Sequence, residues 1–143
     1  MSRPWKERIS PATRRVMEAL FDTIIPSGGP ARPGAIDFNL VDRLLDWFGQ
    51  MTFAAPAFIL VCRVWDFSPL LFLRFRRFHC LDLDQRTRVF ERFEAGGFFL
   101  RWSFVILKAA VLTSFYRSPD VWPLIGYSEG CLSPLPAGAK VED

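Results

Sequence analysis

Histidine, lysine and cysteine are scarce in this 143-residue chain: one histidine, His79, three lysines (Lys6, Lys108 and Lys140) among eighteen basic residues, and three cysteines. Each scarcity closes off a class of chemistry. His79 has no neighbouring acid in the sequence to orient it as a general base, and the side chain of adjacent Cys80 should point away from it, so acid–base or nucleophilic catalysis is not expected. Cys62, Cys80 and Cys131 lie far apart, with neither the paired spacing of a zinc site nor the C-x-x-C-H of a c-type haem. Cys62 sits in an apolar run and reads as a small core filler. A disulfide between Cys80 and Cys131 stays open, and with it the redox compartment. There is no G-x-G-x-x-G: Gly28-Gly29 and Gly96-Gly97 read as a loop pair and a helix terminator, so no dinucleotide is expected on this chain. Asp82 and Asp84 fit a helix start better than a catalytic pair.

Long uncharged runs are also missing. The longest, Trp47 to Cys62, contains Gly49, Gln50 and Pro56 and falls short of the roughly 20 residues that cross a bilayer. Extending it to Leu73 would bury Arg63 and Asp66, so no spanning helix is expected. Thr13, Arg14 and Arg15 superficially suggest a twin-arginine leader. Glu18 and Asp22 interrupt the hydrophobic residues after them, and Val16, Leu20 and Ile24 share one helical stripe, so a folded helix is expected in place of a cleavable signal.

Apolar and aromatic surface is abundant. Half of the residues are hydrophobic, with fifteen Phe and five Trp. One domain of this length can bury a sizeable core without disulfides or metals, and the aromatic surplus implies surface covered by a partner or a lipid face. Net charge is only +3, and arginine carries most of the positive charge, as at buried ion pairs and interfaces. Arg74, Arg76 and Arg77, interleaved with Phe72, Phe75 and Phe78, read as a solvated or partner-facing helix terminus; no nucleic-acid motif accompanies them.

The pattern predicts an all-α, compact bundle of about five helices. Ser10 and Pro11 open a first helix, placed within residues 8–25 and stopped by Pro26. Residues 26–36 form a Gly/Pro-rich connector expected to be the most mobile internal segment. A helical core over residues 38–130 comes next. Asp37 or Asn39 caps a helix with Val41, Leu44, Leu45 and Phe48 inward and Asp42, Arg43 and Asp46 facing away. Thr52 to Trp65 is apolar nearly all round, with Pro56 in its first turn. Ser68-Pro69 starts a short piece. Asp82, with Gln85 three residues on, opens a helix carrying Val89, Phe90 and Phe93 and ending at Gly96-Gly97. Phe98 to Tyr116, with only Arg101 and Lys108 charged, is the bundle centre or the principal partner-facing element. Residues 131–143 read as a loose tail.

The segment Phe115 to Tyr127 closes this hydrophobic run. Ser118 can cap a new helical turn with Pro119 at its first position and Asp120 near its dipole, Pro123 disfavours helix at Trp122, and Gly126 offers a positive φ. Trp122 and Tyr127 then sit on a stiff corner, either sealing the chain's own core or anchoring another protein.

The order Phe115, Tyr116, Ser118, Pro119, Trp122, Ile125, Gly126, Tyr127 resembles the C-terminal signature of the gluconate 2-dehydrogenase subunit 3 family, the small subunits of bacterial flavin-dependent sugar and alcohol dehydrogenases. Ser10, Pro11, Arg14 and the run Leu20 to Pro26 are similar to that family's opening helix, and Phe78, Leu81 and Gln85-Arg86 to its middle helix entry. Two departures stand out: no twin-arginine export signal is evident, and Ser128, Glu129, Gly130 and Cys131 replace the usual Pro and Gly after the turn. The resemblance implies a non-catalytic accessory subunit that stabilises an FAD-bearing large subunit of the glucose-methanol-choline type, with no cofactor or metal of its own. The expected partner-binding residues are Phe98, Phe99, Trp102, Phe115, Tyr116, Trp122 and Tyr127, and assembly is expected in the cytoplasm. The alternative is a peripheral membrane protein that lays residues 53–78 in the lipid interface with Arg74, Arg76 and Arg77 on head groups.

Overall fold

Local chemistry sets the clearest helix boundaries, the capped starts at Ser10 and Asp82. The Ser10 hydroxyl accepts the Thr13 backbone N–H at 3.2 Å, Pro11 occupies the first turn, and helix α2 runs Pro11–Ile24 after a short α1, Trp5–Arg8, that the sequence pattern did not suggest. The computed structural model describes residues 5–28, 33–51, 53–72 and 75–127; expectations on Gly29, Pro30, Thr52, Leu73, Arg74, residues 128–130, Cys131 and the 131–143 tail lie outside them. Helices α3 (Leu40–Phe48), α4 (Ala54–Asp66), α5 (Leu83–Glu94) and α6 (Phe98–Tyr116) complete the bundle, with 3-10 turns at Ser68–Phe72, Phe78–Cys80 and Trp122–Ile125. Among the described residues the fold is all-α.

Helix α2 is the hub, meeting α3, α4, α5, α6 and the 78–80 turn. Its stripe of Thr13, Val16, Met17, Leu20 and Phe21 is buried on every side. Leu40, Val41, Leu44 and Leu45 of α3 and Phe58 and Cys62 of α4 close on it, and burial pushes the Cys62 thiol well above its ordinary pKa, as a core filler requires. Helix α6 is therefore not the bundle centre: only Phe104, Leu107, Val111, Ser114 and Phe115 are buried along it.

A second layer is aromatic. Trp65 packs on Phe93 at 4.3 Å and edge-on to Phe90 at 5.5 Å, while Phe78 stacks on Phe90 at 5.2 Å and Phe90 meets Phe104 at 5.1 Å. Much of the aromatic surplus thus lies inside the chain. The same packing corrects the expectation at the arginine cluster. Residues 75–77 are not helical, since Phe78 is driven into the core while Phe75 remains 91% exposed and Arg77 lies over the Phe67 ring.

Some polar expectations also gave way to other arrangements. Asn39 begins α3 in the left-handed region (φ 50°) with no side-chain cap, and the Asp37 carboxylate accepts the Gly34 N–H at 2.8 Å instead. Asp42 and Arg43, expected to face away, pair with Arg14 (2.6 Å) and Asp120 respectively. The hydrogen bond from Arg14 to Asp42 raises the guanidinium's pKa, against partial desolvation.

The connector's described ends are pinned. Ala35 N–H donates to the Ile25 carbonyl at 2.9 Å, and Gly34 lies so close to the Pro26–Ser27 backbone that a Cβ there would overlap it. Gly34→Ala should lower stability by about 1–3 kcal/mol, because backbone cannot yield as a side-chain end can. Chemical denaturation checks this, and an unchanged midpoint would contradict the close approach.

Candidate functional site

Helix α6 buries one stripe and leaves its opposite stripe uncovered. Phe98, Trp102, Val105, Ile106, Ala109, Thr113 and Tyr116 recur at helical spacing on the exposed side, and Phe99 beside them is 85% exposed. A 19-residue helix is about 28 Å long, so this is an apolar strip running the length of α6. Such a continuous strip is unusual on a monomer's surface.

Helix α4 adds a second strip. Phe53 (80% exposed), Pro56, Ala57, Leu60 and Val64, with Phe67 and Leu71 beyond them, share its outer side. Between α4 and α6 lies an apolar groove of about 320 Å³ lined by Val64, Phe67 and Leu71 on one side and Leu100 and Ser103 on the other, with Trp65 and Phe93 also on its wall. Residues 54–72 and 98–116 are each apolar and long enough, at 19 residues, to cross a membrane by length and composition. The uncharged run read from the sequence, Trp47 to Cys62, overlaps only the first of these, which the structure divides between α4 and the 68–72 turn with Asp66 buried within it.

The sequence-predicted partner residues fall into three groups. Phe98, Phe99 and Trp102 form an exposed cluster at the start of α6, with Phe98 5.7 Å from Phe99 and 6.0 Å from Trp102. Tyr116, Trp122 and Tyr127 gather at its other end, about 20 Å away by helical rise. There the Trp122 indole N–H donates to the Tyr116 carbonyl at 2.8 Å, and Trp122 meets Tyr127 edge-on at 5.3 Å. Phe115 is a correction. It is 5% exposed and packs edge-on against Phe38, because it lies on the buried stripe with Leu107 and Val111.

The corner at residues 118–127 is built differently from the sequence expectation. Ser118 does not cap a helix: it is buried, and its hydroxyl donates to the Ser114 carbonyl at 2.9 Å, finishing α6 instead of opening a new helix. Asp120 turns away to Arg43, and the next helical turn begins only at Trp122, with Pro123 tolerated in its first positions. Fully buried Val121 anchors the corner, Gly126 adopts φ 71° as expected, and the Tyr127 N–H closes on the Trp122 carbonyl at 2.9 Å. Trp122 is half-buried, so it both seals the chain and leaves part of its ring outside.

A polar site that sequence reasoning missed lies between α2, the end of α4 and the 78–80 turn. Asp66, 3% exposed, accepts the His79 backbone N–H at 3.1 Å and approaches the His79 ring Nδ1 at 2.7 Å with the same oxygen. A carboxylate accepts, so Nδ1 carries a proton, and Nε2 has no hydrogen-bond partner among the described residues. The acid was invisible in the sequence because thirteen residues and the 68–72 turn separate it from His79. Cys80 is exposed and takes no part. Around the pair lies a cavity of about 290 Å³ whose wall includes Thr13, Arg63, Phe67 and Arg77, and Arg63 reaches the Thr13 hydroxyl through two nitrogens at 3.0 and 3.3 Å. Asp66→Ala should cost about 1–3 kcal/mol by stranding two donors. Urea unfolding would show it, and a stability equal to the parent would mean that the pair bears no load.

Arg86 completes the frame behind this site, donating to the His79 carbonyl at 3.2 Å and lying 3.9 Å from Asp22. Asp82 caps α5 by accepting the Gln85 N–H at 2.8 Å, the role its spacing predicts. No group of three or more His, Cys, Asp or Glu side chains that could hold a metal ion occurs among the described residues. In comparisons with known proteins, the chain matches no family model, no curated protein and no solved structure.

Proposed function

We propose that this chain is a non-catalytic small subunit that binds and stabilises the FAD-bearing large subunit of a flavin-dependent dehydrogenase of the glucose-methanol-choline type, as its resemblance to the gluconate 2-dehydrogenase subunit 3 family implies. The observation that supports this reading most directly is the uncovered apolar strip of α6, bounded by the Phe98–Phe99–Trp102 cluster and by Tyr116, Trp122 and Tyr127. Aromatic side chains on a helix supply large contact area at little cost in side-chain entropy, and such anchors dominate interface energetics. A stable interface on the scale of about 1,600 Å² would cover the strip and its flanks. Because the small subunit would bind only the folded large subunit, it would shift that subunit's folding equilibrium by mass action, without touching the flavin or the substrate. The chemistry would remain with the partner, and the subunits would assemble in the cytoplasm.

A second reading has its own support. The outer strip of α4 extends through Phe67 and Leu71, Phe75 is 91% exposed, and Arg76 and Arg77 follow it in sequence, which is the order of an apolar face and a cationic edge at a lipid interface.

One pair of variants separates the two. In the native host, Phe99→Asp with Ile106→Asp should reduce the flavin that co-purifies with the chain by at least about tenfold while leaving its helical circular dichroism intact. Undiminished flavin recovery, together with sedimentation on anionic lipid vesicles that Leu71→Glu and Phe75→Glu abolish, would reject the subunit reading in favour of the membrane one.

A further inference from the structure

Two guanidinium groups face the Asp66–His79 cavity without a carboxylate of their own. Arg63 donates only to the Thr13 hydroxyl, and Arg77 lies 5.0 Å above the Phe67 ring; neither has an ion-pair partner among the described residues. Every other feature of the cavity adds to the asymmetry. Asp66, the carboxylate in its wall, is already engaged by the two N–H groups of His79. That contact fixes the ring, so its free Nε2 is the polar atom His79 can still offer. Cations that could pair elsewhere on a surface carrying this many acids instead share one recess.

We propose that this cavity binds a small monocarboxylate with a compact apolar body, held through its oxyanion by Arg63 and Arg77. Guanidinium donors suit a carboxylate because their planar N–H pairs match its two oxygens. The remaining wall, Ala12, Val16 and Phe67, is apolar and favours a ligand with a hydrocarbon or aromatic body. A cavity of about 290 Å³ admits a ligand of the size of a single substituted ring. The buried negative charge of Asp66 at the same wall opposes a second negative charge on the ligand, which favours a monoanion over phosphate. The inference stands apart from the subunit reading, since the site is built from α2, α4 and the 78–80 turn without any residue of α6 and needs no partner chain, although it shares Phe67 with the outer strip of α4.

His79 is the single histidine of the sequence, so its imidazole resonances report this cavity without ambiguity. The full chain, isotopically labelled, is titrated with sodium benzoate against sodium chloride at equal ionic strength, and with inorganic phosphate in parallel. The expected result is a saturable shift of the His79 ring signals with benzoate, weakened at least about tenfold in Arg77→Met and in Arg63→Met, and a weaker response to phosphate. The Arg77 guanidinium makes no hydrogen bond among the described residues, so Arg77→Met tests the site even if Arg63→Met, which loses its tie to Thr13, fails to fold. A benzoate response that does not saturate, or that is unchanged in Arg77→Met, overturns the proposal. Phosphate binding more tightly than benzoate overturns the assignment to a monocarboxylate.

Discussion

Burial of one stripe of α2 by four other helices is the constraint on which the rest of the molecule depends. Met17, Leu20 and Phe21 are almost completely withdrawn from solvent, and each helix around them gives up one face to do it. A helix that is apolar on one face only is then satisfied, as α3 and α5 are. Helices α4 and α6 are apolar on more than one face, so covering α2 leaves each with a second apolar strip and nothing within the described chain to place against it. The exposed strips are thus a consequence of composition meeting a small bundle.

The polar contacts serve the same hub. Arg14 of α2 reaches Asp42 of α3, Arg63 of α4 reaches Thr13 of α2, and Arg86 of α5 lies near Asp22. Each ties a neighbouring helix to α2 at its rim, where the guanidinium can keep part of its hydration. Contacts that keep part of their hydration contribute little energy singly, about 0–1 kcal/mol for an ion pair, and act mainly in fixing which helix lies where. The preference for arginine over lysine is explained by these cross-helix contacts and by its stacking on Phe67, Phe72 and Trp47.

How much of this was legible in the sequence depended on how local the responsible physics was. The start of α2 at Ser10-Pro11, the Asp82 cap of α5, the limits of α6 and the positive φ of Gly126 all rest on chemistry within four residues, and each could be read directly. Most of the failures are long-range. Asp120 finds Arg43 across seventy-seven positions and Asp66 finds His79 across thirteen, while Asp37 turns back to Gly34 in place of capping α3. Phe115 and Tyr116 are neighbours with similar side chains, yet one is core and the other surface. Only the helical phase of α6 relative to α3 decides that, and aromatic content cannot reveal it. The apolar character of the Phe98, Phe99 and Trp102 side was plain in the sequence, but whether it was core or surface stayed open, because that depends on the same helical phase.

The subunit reading therefore rests on what covers α6. Site-specific photo-crosslinking from position 106, at the middle of the strip, tests this most directly when carried out in the native host. The account predicts one dominant adduct to a single large polypeptide that retains bound flavin. Adducts to lipid, or an uncrosslinked chain with a freely solvated position 106, would contradict it.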